Sequence, residues 1–339
     1  MNILFMTKKR DDLVCLDYAH YLEQAVGEEV NCKWAGRGWP DYRSESLNTT
    51  VNRLMPDVDW VIYYDFEIRR EMLRLKISPH HKRSYKTATI LSDLHKEPTS
   101  YIRMLNNERW DAYLMLYTQL AARIDYNRGK GWKKTNPNEF LEHLAAPIFP
   151  LTPSINPAIF NMMNERRDFD ALFLGNAVPS FYPLRSSIYN NLKALGIKNK
   201  WKTLVRWSPK GMSFNRKKDE YLERGEIVGP KYADYLSRAK CFLFGTSVMK
   251  YPLLKFFEGM ASGACVFSDA PLRAQELHLK AGENYVNINI DNWKEKLKYY
   301  LENEEERKKI ALAGYKMTMK HHTNSTRARE LVAFLEAHK

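Results

Sequence analysis

The stretch Lys250-Tyr-Pro-Leu-Leu-Lys-Phe-Phe-Glu-Gly-Met-Ala-Ser-Gly-Ala-Cys-Val-Phe-Ser-Asp269 is mostly apolar or small. Three polar residues inside it, Lys255, Glu258 and Ser262, recur at i, i+3 and i+7, so on a helix they share one face. That stripe has two readings. One is a solvated edge whose Lys–Glu pair is worth about 0.3 kcal/mol. The other is a ligand site. A helix opening at Pro252 presents unpaired N–H groups to an anion, Lys255 adds a cation beside them, and a carboxylate one turn on accepts two hydroxyl hydrogens. The second set suits the diphosphate and ribose of a nucleotide sugar.

Other residues invite chemistry less strongly. Ile90-Leu-Ser-Asp93-Leu-His95 ends an apolar run, where a carboxylate at a strand's C-terminal end either deprotonates a hydroxyl or caps the next turn. Asp57-Val-Asp59 and Asp168-Phe-Asp170 have the DxD spacing of a metal site, but each precedes a strand-like run, where polar residues mark the strand's exposed entry. His80-His81-Lys82-Arg83 lacks the further ligands a metal would need. No metal is therefore expected. Arg128-Gly-Lys130-Gly-Trp-Lys133-Lys134 mixes cations with an aromatic, as nucleic-acid sites and mobile surface loops both do.

The elements that must position these residues follow from periodicity. Short apolar runs at 3–7, 60–64, 87–91 and 112–116 alternate with helical spacing at 13–26, 68–75 and 99–107, the signature of βαβ units around a parallel sheet. Pro147, Pro150, Pro153 and Pro157 then interrupt regular structure and suit a linker. Beyond it the alternation restarts. Strands are predicted at 171–174, 203–207, 241–245, 264–268 and 285–288. Helices are predicted at 186–195, 232–239, 252–262 (capped by Gly263), 291–301, 304–316 and 326–338. The expectation is an α/β protein of two doubly wound, Rossmann-like domains facing a cleft, with ligand bound at the carboxyl ends of the strands. Residues 1–150 would form the first domain, 151–320 the second, and 321–339 a C-terminal helix, its crossing back to the first left open.

Composition excludes several classes. Of 339 residues 44% are hydrophobic and 27% charged, which a disordered chain would not show. Cys15, Cys32, Cys241 and Cys265 form no CxxC pair, so neither a disulfide scaffold nor a structural zinc is indicated, and a cytoplasmic location is expected. No apolar run reaches the roughly 18 residues of a membrane span. The net charge of +13 is uneven: residues 1–150 carry 22 basic and 20 acidic side chains, leaving +11 for 151–339. That excess suits a phosphate-bearing ligand, a nucleic acid, an anionic membrane surface or simply a solvated helical face.

Phe257-Glu258-Gly-Met-Ala-Ser-Gly263-Ala-Cys-Val-Phe-Ser-Asp269 resembles the donor-binding signature of group 1 GT-B glycosyltransferases. The likeness continues through Gly282-Glu-Asn-Tyr-Val286, Trp293, Glu304-Glu-Glu-Arg307, Ala313-Gly314 and His321-His322-Thr323 to Arg327. The whole run, about 170–335, is similar to the C-terminal domain of spore-maturation (CgeB-like) glycosyltransferases. Phe173-Leu-Gly-Asn176 and Tyr232–Ala239 sit where that domain expects them; residues 1–150 share only architecture. The resemblance implies that Glu258 binds ribose, that Lys255 contacts the diphosphate, that Gly175 lets backbone approach the phosphates, and that Arg185 reaches them from the next helix. Many members carry a second glutamate eight residues before the first; here Lys250 stands there. Their Gly-rich turn after the first strand is replaced by Thr7-Lys-Lys-Arg10. Around Asp93 the chain resembles phage DNA β-glucosyltransferases, which implies a base role for Asp93, with His95 as second choice.

The expected activity is metal-independent transfer of a hexose-like sugar from a nucleotide-diphosphate donor, needing no further cofactor, to a hydroxyl of a surface glycan or glycolipid. Two alternatives stay open: the same chemistry on hydroxymethylated bases of phage DNA, and nucleotide-sugar binding without catalysis. A peripheral membrane contact stays open as well.

Overall fold

A computed structural model describes residues 1–10, 17–64, 83–91, 110–116, 123–124, 134–135, 144–162, 166–207 and 217–339. It divides into two compact units. One comprises Met1–Asp11, Ala19–Thr152 and Ser325–Lys339; the other comprises Asp12–Tyr18 and Pro153–Asn324. Each unit is built on a parallel sheet, as the alternating apolar runs require.

The first unit's elements are β1 (Asn2–Met6), α1 (Asp17–Glu29), β2 (Asn31–Ala35), α2 (Leu47–Leu54), β3 (Trp60–Tyr64), β4 (Lys86–Leu91) and β5 (Ala112–Met115). A small antiparallel ladder follows, of β6 (Arg123–Ile124) with β7 (Lys134–Thr135), and then β8 (Ile148–Pro150). The six-stranded sheet has the order β2-β1-β3-β4-β5-β8, all parallel. Strands β3, β4 and β5 are buried almost throughout, so their sequences read as continuous apolar runs. Two elements escape that reading. β2 alternates Cys32 and Trp34 with polar Asn31 and Lys33 at the sheet's edge, and α2 begins at Ser46, whose hydroxyl accepts the Thr49 N–H at 3.2 Å. The proline-rich segment is not simply a linker either. Ile148–Pro150 pairs with Tyr113–Met115 as the outermost strand, where a proline's missing N–H costs no ladder bond.

A helix from the far end of the chain completes this unit. α9 (Asn324–Ala337) buries Ala328, Leu331 and Leu335, and the Leu335 carbonyl accepts the Trp60 indole N–H at 3.2 Å.

The second unit contains β9 (Phe169–Leu174), α3 (Pro183–Asn199), β10 (Thr203–Arg206), α4 (Lys218–Glu223), α5 (Gly229–Ser237), β11 (Ala239–Leu243), α6 (Leu254–Ala261), β12 (Cys265–Ser268), β13 (Val286–Asn287), α7 (Trp293–Glu302) and α8 (Glu304–His321). Its sheet has the order β10-β9-β11-β12-β13, again parallel. Both faces are covered. Leu172, Leu174, Phe242, Phe244 and Val266 pack on one side with Phe256, Phe257 and Met260 of α6. Ala171, Phe173, Cys241, Leu243, Cys265 and Phe267 pack on the other with Leu184, Ile188 and Leu192 of α3. Period-2 alternation puts successive residues on opposite faces, and because each face has a helical cover the central positions are apolar, with Asp170 and Lys240 at the strand entries.

α6 lies close on this sheet because Gly259 allows it. A Cβ built at Gly259 would stand 2.7 Å from a ring carbon of Phe242 and 2.9 Å from a methyl of Val266. Gly259→Ala should therefore lower stability by about 2 kcal/mol, the strain of overpacking outweighing alanine's better helix propensity. Equilibrium urea unfolding checks this; an unchanged or higher midpoint contradicts it.

Candidate functional site

The second unit's chain leaves β9 through α3 to β10 on one side, while β11 lies on the other side of β9. The carboxyl ends of β9 and β11 thus flank a topological switch point, where open α/β sheets leave a crevice for ligand. Gly175 follows β9 and Gly245 follows β11, and both admit close approach. A Cβ on Gly245 would stand 2.9 Å from Leu184 of α3. Gly175 has φ +151°, and a Cβ there would meet Lys255 Cε at 3.4 Å, Lys255 Nζ at 3.6 Å and Arg185 Nη1 at 3.9 Å.

Two cations therefore converge on one backbone turn. Lys255 Nζ donates to the Leu174 carbonyl at 3.0 Å and to the Tyr232 hydroxyl at 3.3 Å. Burial drives its pKa down to about 8; the Glu258 carboxylate pulls it back up and the Arg185 guanidinium pushes it further down. Arg185 is 4% exposed, lies over the Tyr182 ring at 3.8 Å, and donates from Nε to the Gly245 carbonyl at 2.5 Å and from Nη1 to the Asn176 carbonyl at 3.4 Å. It spans the two loops of the switch point and braces them. Glu258, one turn along α6, accepts the Tyr232 hydroxyl at 3.0 Å through Oε2. Burial first, and then Glu258, raises the Tyr232 phenol well above its ordinary pKa, so it remains a hydrogen-bond donor.

The loop from β11 to α6 is fixed separately. Asp269, just past β12, accepts the Thr246 N–H and hydroxyl at 2.6 Å each, and pairs with the Lys250 ammonium. Lys250 is in the left-handed region at φ 54°, which a lysine adopts only at some cost. Pro252 lies before the helix rather than in its first turn. Leu253, extended at ψ 142°, is the N-cap, and no side chain caps the helix there. It is the extended Leu253 that starts the helix two residues past Pro252. Gly263 at φ +75° does cap the other end, its N–H bonding the Met260 carbonyl at 2.9 Å.

The structure thus gathers Gly175, Arg185, Lys255 and Glu258 in one place. Ser262 is not part of that group's polar surface; it is fully buried at the helix C-terminus. Asp93 and His95 lie outside the described residues, as do 80–82 and 128–133. The two DxD pairs sit at strand entries, opposite the carboxyl ends, and are engaged by the chain itself. Asp59 accepts Asn2 N–H at 2.8 Å and pairs with Lys339 at 2.7 Å. Asp168 pairs with Arg238 and Asp170 with Lys240, each at 2.7 Å.

Residues 180–333 match the family described as glycosyl transferase-like. No curated protein sequence matches the chain. Among solved structures, HepE from Anabaena in complex with UDP and glucose superposes with TM-score 0.62 at 10% identity, over 99% of this chain and 100% of that one. Sucrose-phosphate synthase from Thermosynechococcus elongatus gives 0.60 at 10% identity, over 99% and 98%. AviGT4, a glycosyltransferase of avilamycin A biosynthesis, gives 0.52 at 14%, over 99% and 96%. The fold is that of the GT-B glycosyltransferases.

Within this GT-B fold, spacing along the chain did not single out the roles of three residues. Tyr232 belongs to the apolar stripe of α5, 23 residues before Lys255, and only the packing of α5 on α6 brings its hydroxyl to Glu258. Thr246 and Asp269 are equally far apart along the chain and meet only because β11 and β12 are neighbours in register.

Proposed function

We propose that the chain transfers a hexose-like sugar from a nucleoside diphosphate carrier, UDP, to a hydroxyl of a surface glycan or glycolipid precursor, in the manner of the spore-maturation-type enzymes. The observation that carries this is the convergence of Lys255 and Arg185 on the Gly175 turn, with Glu258 one helical turn away. A turn without a Cβ lets backbone come close to phosphate. The ammonium and the uncapped start of α6 supply positive charge where a diphosphate's negative charge grows as its bond to the sugar breaks. Glu258 is suited to accept both ribose hydroxyls. Arg185 supports the same field while holding the two loops in place. These groups carry the leaving-group charge themselves, and no metal is needed for the step. The proton released by the acceptor hydroxyl goes to a protein base, for which Asp93 is the candidate and His95 the substitute.

The test is a panel of UDP-, GDP- and ADP-sugars read by thermal shift and donor hydrolysis. A specific shift with slow release of UDP is expected, and no response to any nucleoside diphosphate overturns the reading. Nucleotide binding without turnover on any acceptor would favour a non-catalytic role. Modified duplex DNA as acceptor would show retardation that falls steeply between about 50 and 200 mM salt, whereas a glycan acceptor would not.

A further inference from the structure

Tyr232 opens a helical segment the resemblance covers, but the resemblance gives its side chain no role. Its hydroxyl stands 3.0 Å from Glu258 Oε2 and 3.3 Å from Lys255 Nζ, while the Lys255 ammonium also lies 5.2 Å from the centre of its ring. A phenol has one hydrogen to give and lone pairs to receive. An ammonium can only donate and a carboxylate can only accept, so the hydroxyl's orientation is dictated: it accepts from Lys255 and donates to Glu258. Its ring is wedged edge-on against Phe160, at 6.1 Å between centroids, and packs on the core beneath α6, so the oxygen has little freedom to move.

We propose that Tyr232 is a positioning residue that ties Lys255 to Glu258, so that diphosphate and ribose are recognised by one hydrogen-bonded unit rather than by two independent side chains. The proposal rests on the donor-site reading above and deepens it. Lys255 and Glu258 are one turn apart on α6 and both are long side chains with several rotamers. Without a common partner the two would be oriented independently of one another when ligand binds, at an entropic cost. The phenol sets their mutual orientation in advance. Among the described residues, the ionic groups facing Lys255 are Glu258 from its own helix and Arg185 from α3; Tyr232 from α5 faces it with a neutral hydroxyl, beside the Leu174 carbonyl and the Phe242 ring.

Tyr232→Phe removes the oxygen and keeps the ring. The readout begins on the ligand-free protein: a 15Nζ-lysine NMR titration, with Lys255 assigned through Lys255→Arg. Losing an acceptor for the ammonium should lower the Lys255 titration midpoint by half a unit or more. UDP affinity by calorimetry at pH 7 should fall about tenfold, and Glu258→Gln should cost less in the Tyr232→Phe background than in wild type, because the unit is already broken. A melting temperature near that of wild type separates this from lost packing. Should Tyr232→Phe fail to fold, 3-fluorotyrosine at position 232, which alters the phenol's acidity with little change of shape, carries the same measurements. A Lys255 midpoint and a UDP affinity both equal to wild type overturn the assignment of Tyr232. A wild-type protein without affinity for UDP or any other nucleoside diphosphate overturns the donor reading itself, and with it the recognition role given to Tyr232.

Discussion

Lys255→Met lowers kcat/KM for the nucleotide-sugar donor by roughly 100-fold, the scale seen when a preorganised group facing developing charge is removed. Methionine retains most of the buried aliphatic length, so the loss falls on the charge and not on packing. The wild-type protein makes the same point through pH. Burial brings the Lys255 pKa to about 8, so the ammonium is the resident form at pH 7 and is lost as pH rises through that value. Donor affinity should accordingly weaken above pH 8, and the midpoint should move upward when diphosphate is bound, because the anion favours the charged form. Stability runs the other way. In the unfolded chain this lysine keeps its proton up to about 10.4, so between the two values the unfolded state binds more protons, and this group's contribution to unfolding free energy rises with pH. Calorimetry of UDP binding from pH 6.5 to 9.5, alongside Lys255→Met, reads both. Affinity independent of pH over that range, or a variant with unaltered kcat/KM, contradicts the role given to the ammonium.

Leu335→Ala destabilises the first unit by about 3 kcal/mol, the cost of deleting a fully buried leucine side chain where the surroundings relax only in part. The residue is four from the chain's last, a position that usually tolerates change. Here the helix is tied down on several sides. The Leu335 carbonyl accepts from Trp60 in β3, the Phe334 ring lies 5.2 Å from that of Phe149 in β8, and Lys339 pairs with Asp59 at 2.7 Å. Removing Ser325–Lys339 altogether should be more severe, exposing the Trp60 edge and shifting indole emission to the red. Urea unfolding followed by far-ultraviolet circular dichroism and tryptophan emission checks both variants. A Leu335→Ala midpoint within error of wild type would show that this helix does not support the sheet.

The strands were the most legible part of the chain. Trp60–Tyr64 was bounded to the residue, and the central strands β9, β11 and β12 to within two, because a sheet covered on both faces is apolar along most of each central strand. Edge elements were harder to read. β2 keeps polar residues on its open side, and β8 contains a proline that elsewhere would argue against a strand. Helix starts were offset by a residue or two, as at Pro252, which precedes the extended N-cap Leu253. Within the site, Lys255 and Glu258 were legible because both sit on one short helix, where spacing alone fixes a shared face.

By itself, then, the sequence determined the α/β class, the restart of the alternation past residue 150, and the polar pair on α6, since each of these depends on residues that are neighbours along the chain. Only the tertiary structure decided that Arg185 is a brace across Gly245 and Asn176, that Asp269 and Thr246 fix the loop carrying Lys250, and that Tyr232 joins the α6 pair. Those contacts cross from one element to another, and hydrophobic periodicity says which face of an element is buried but not which side chain of a distant element will meet it there.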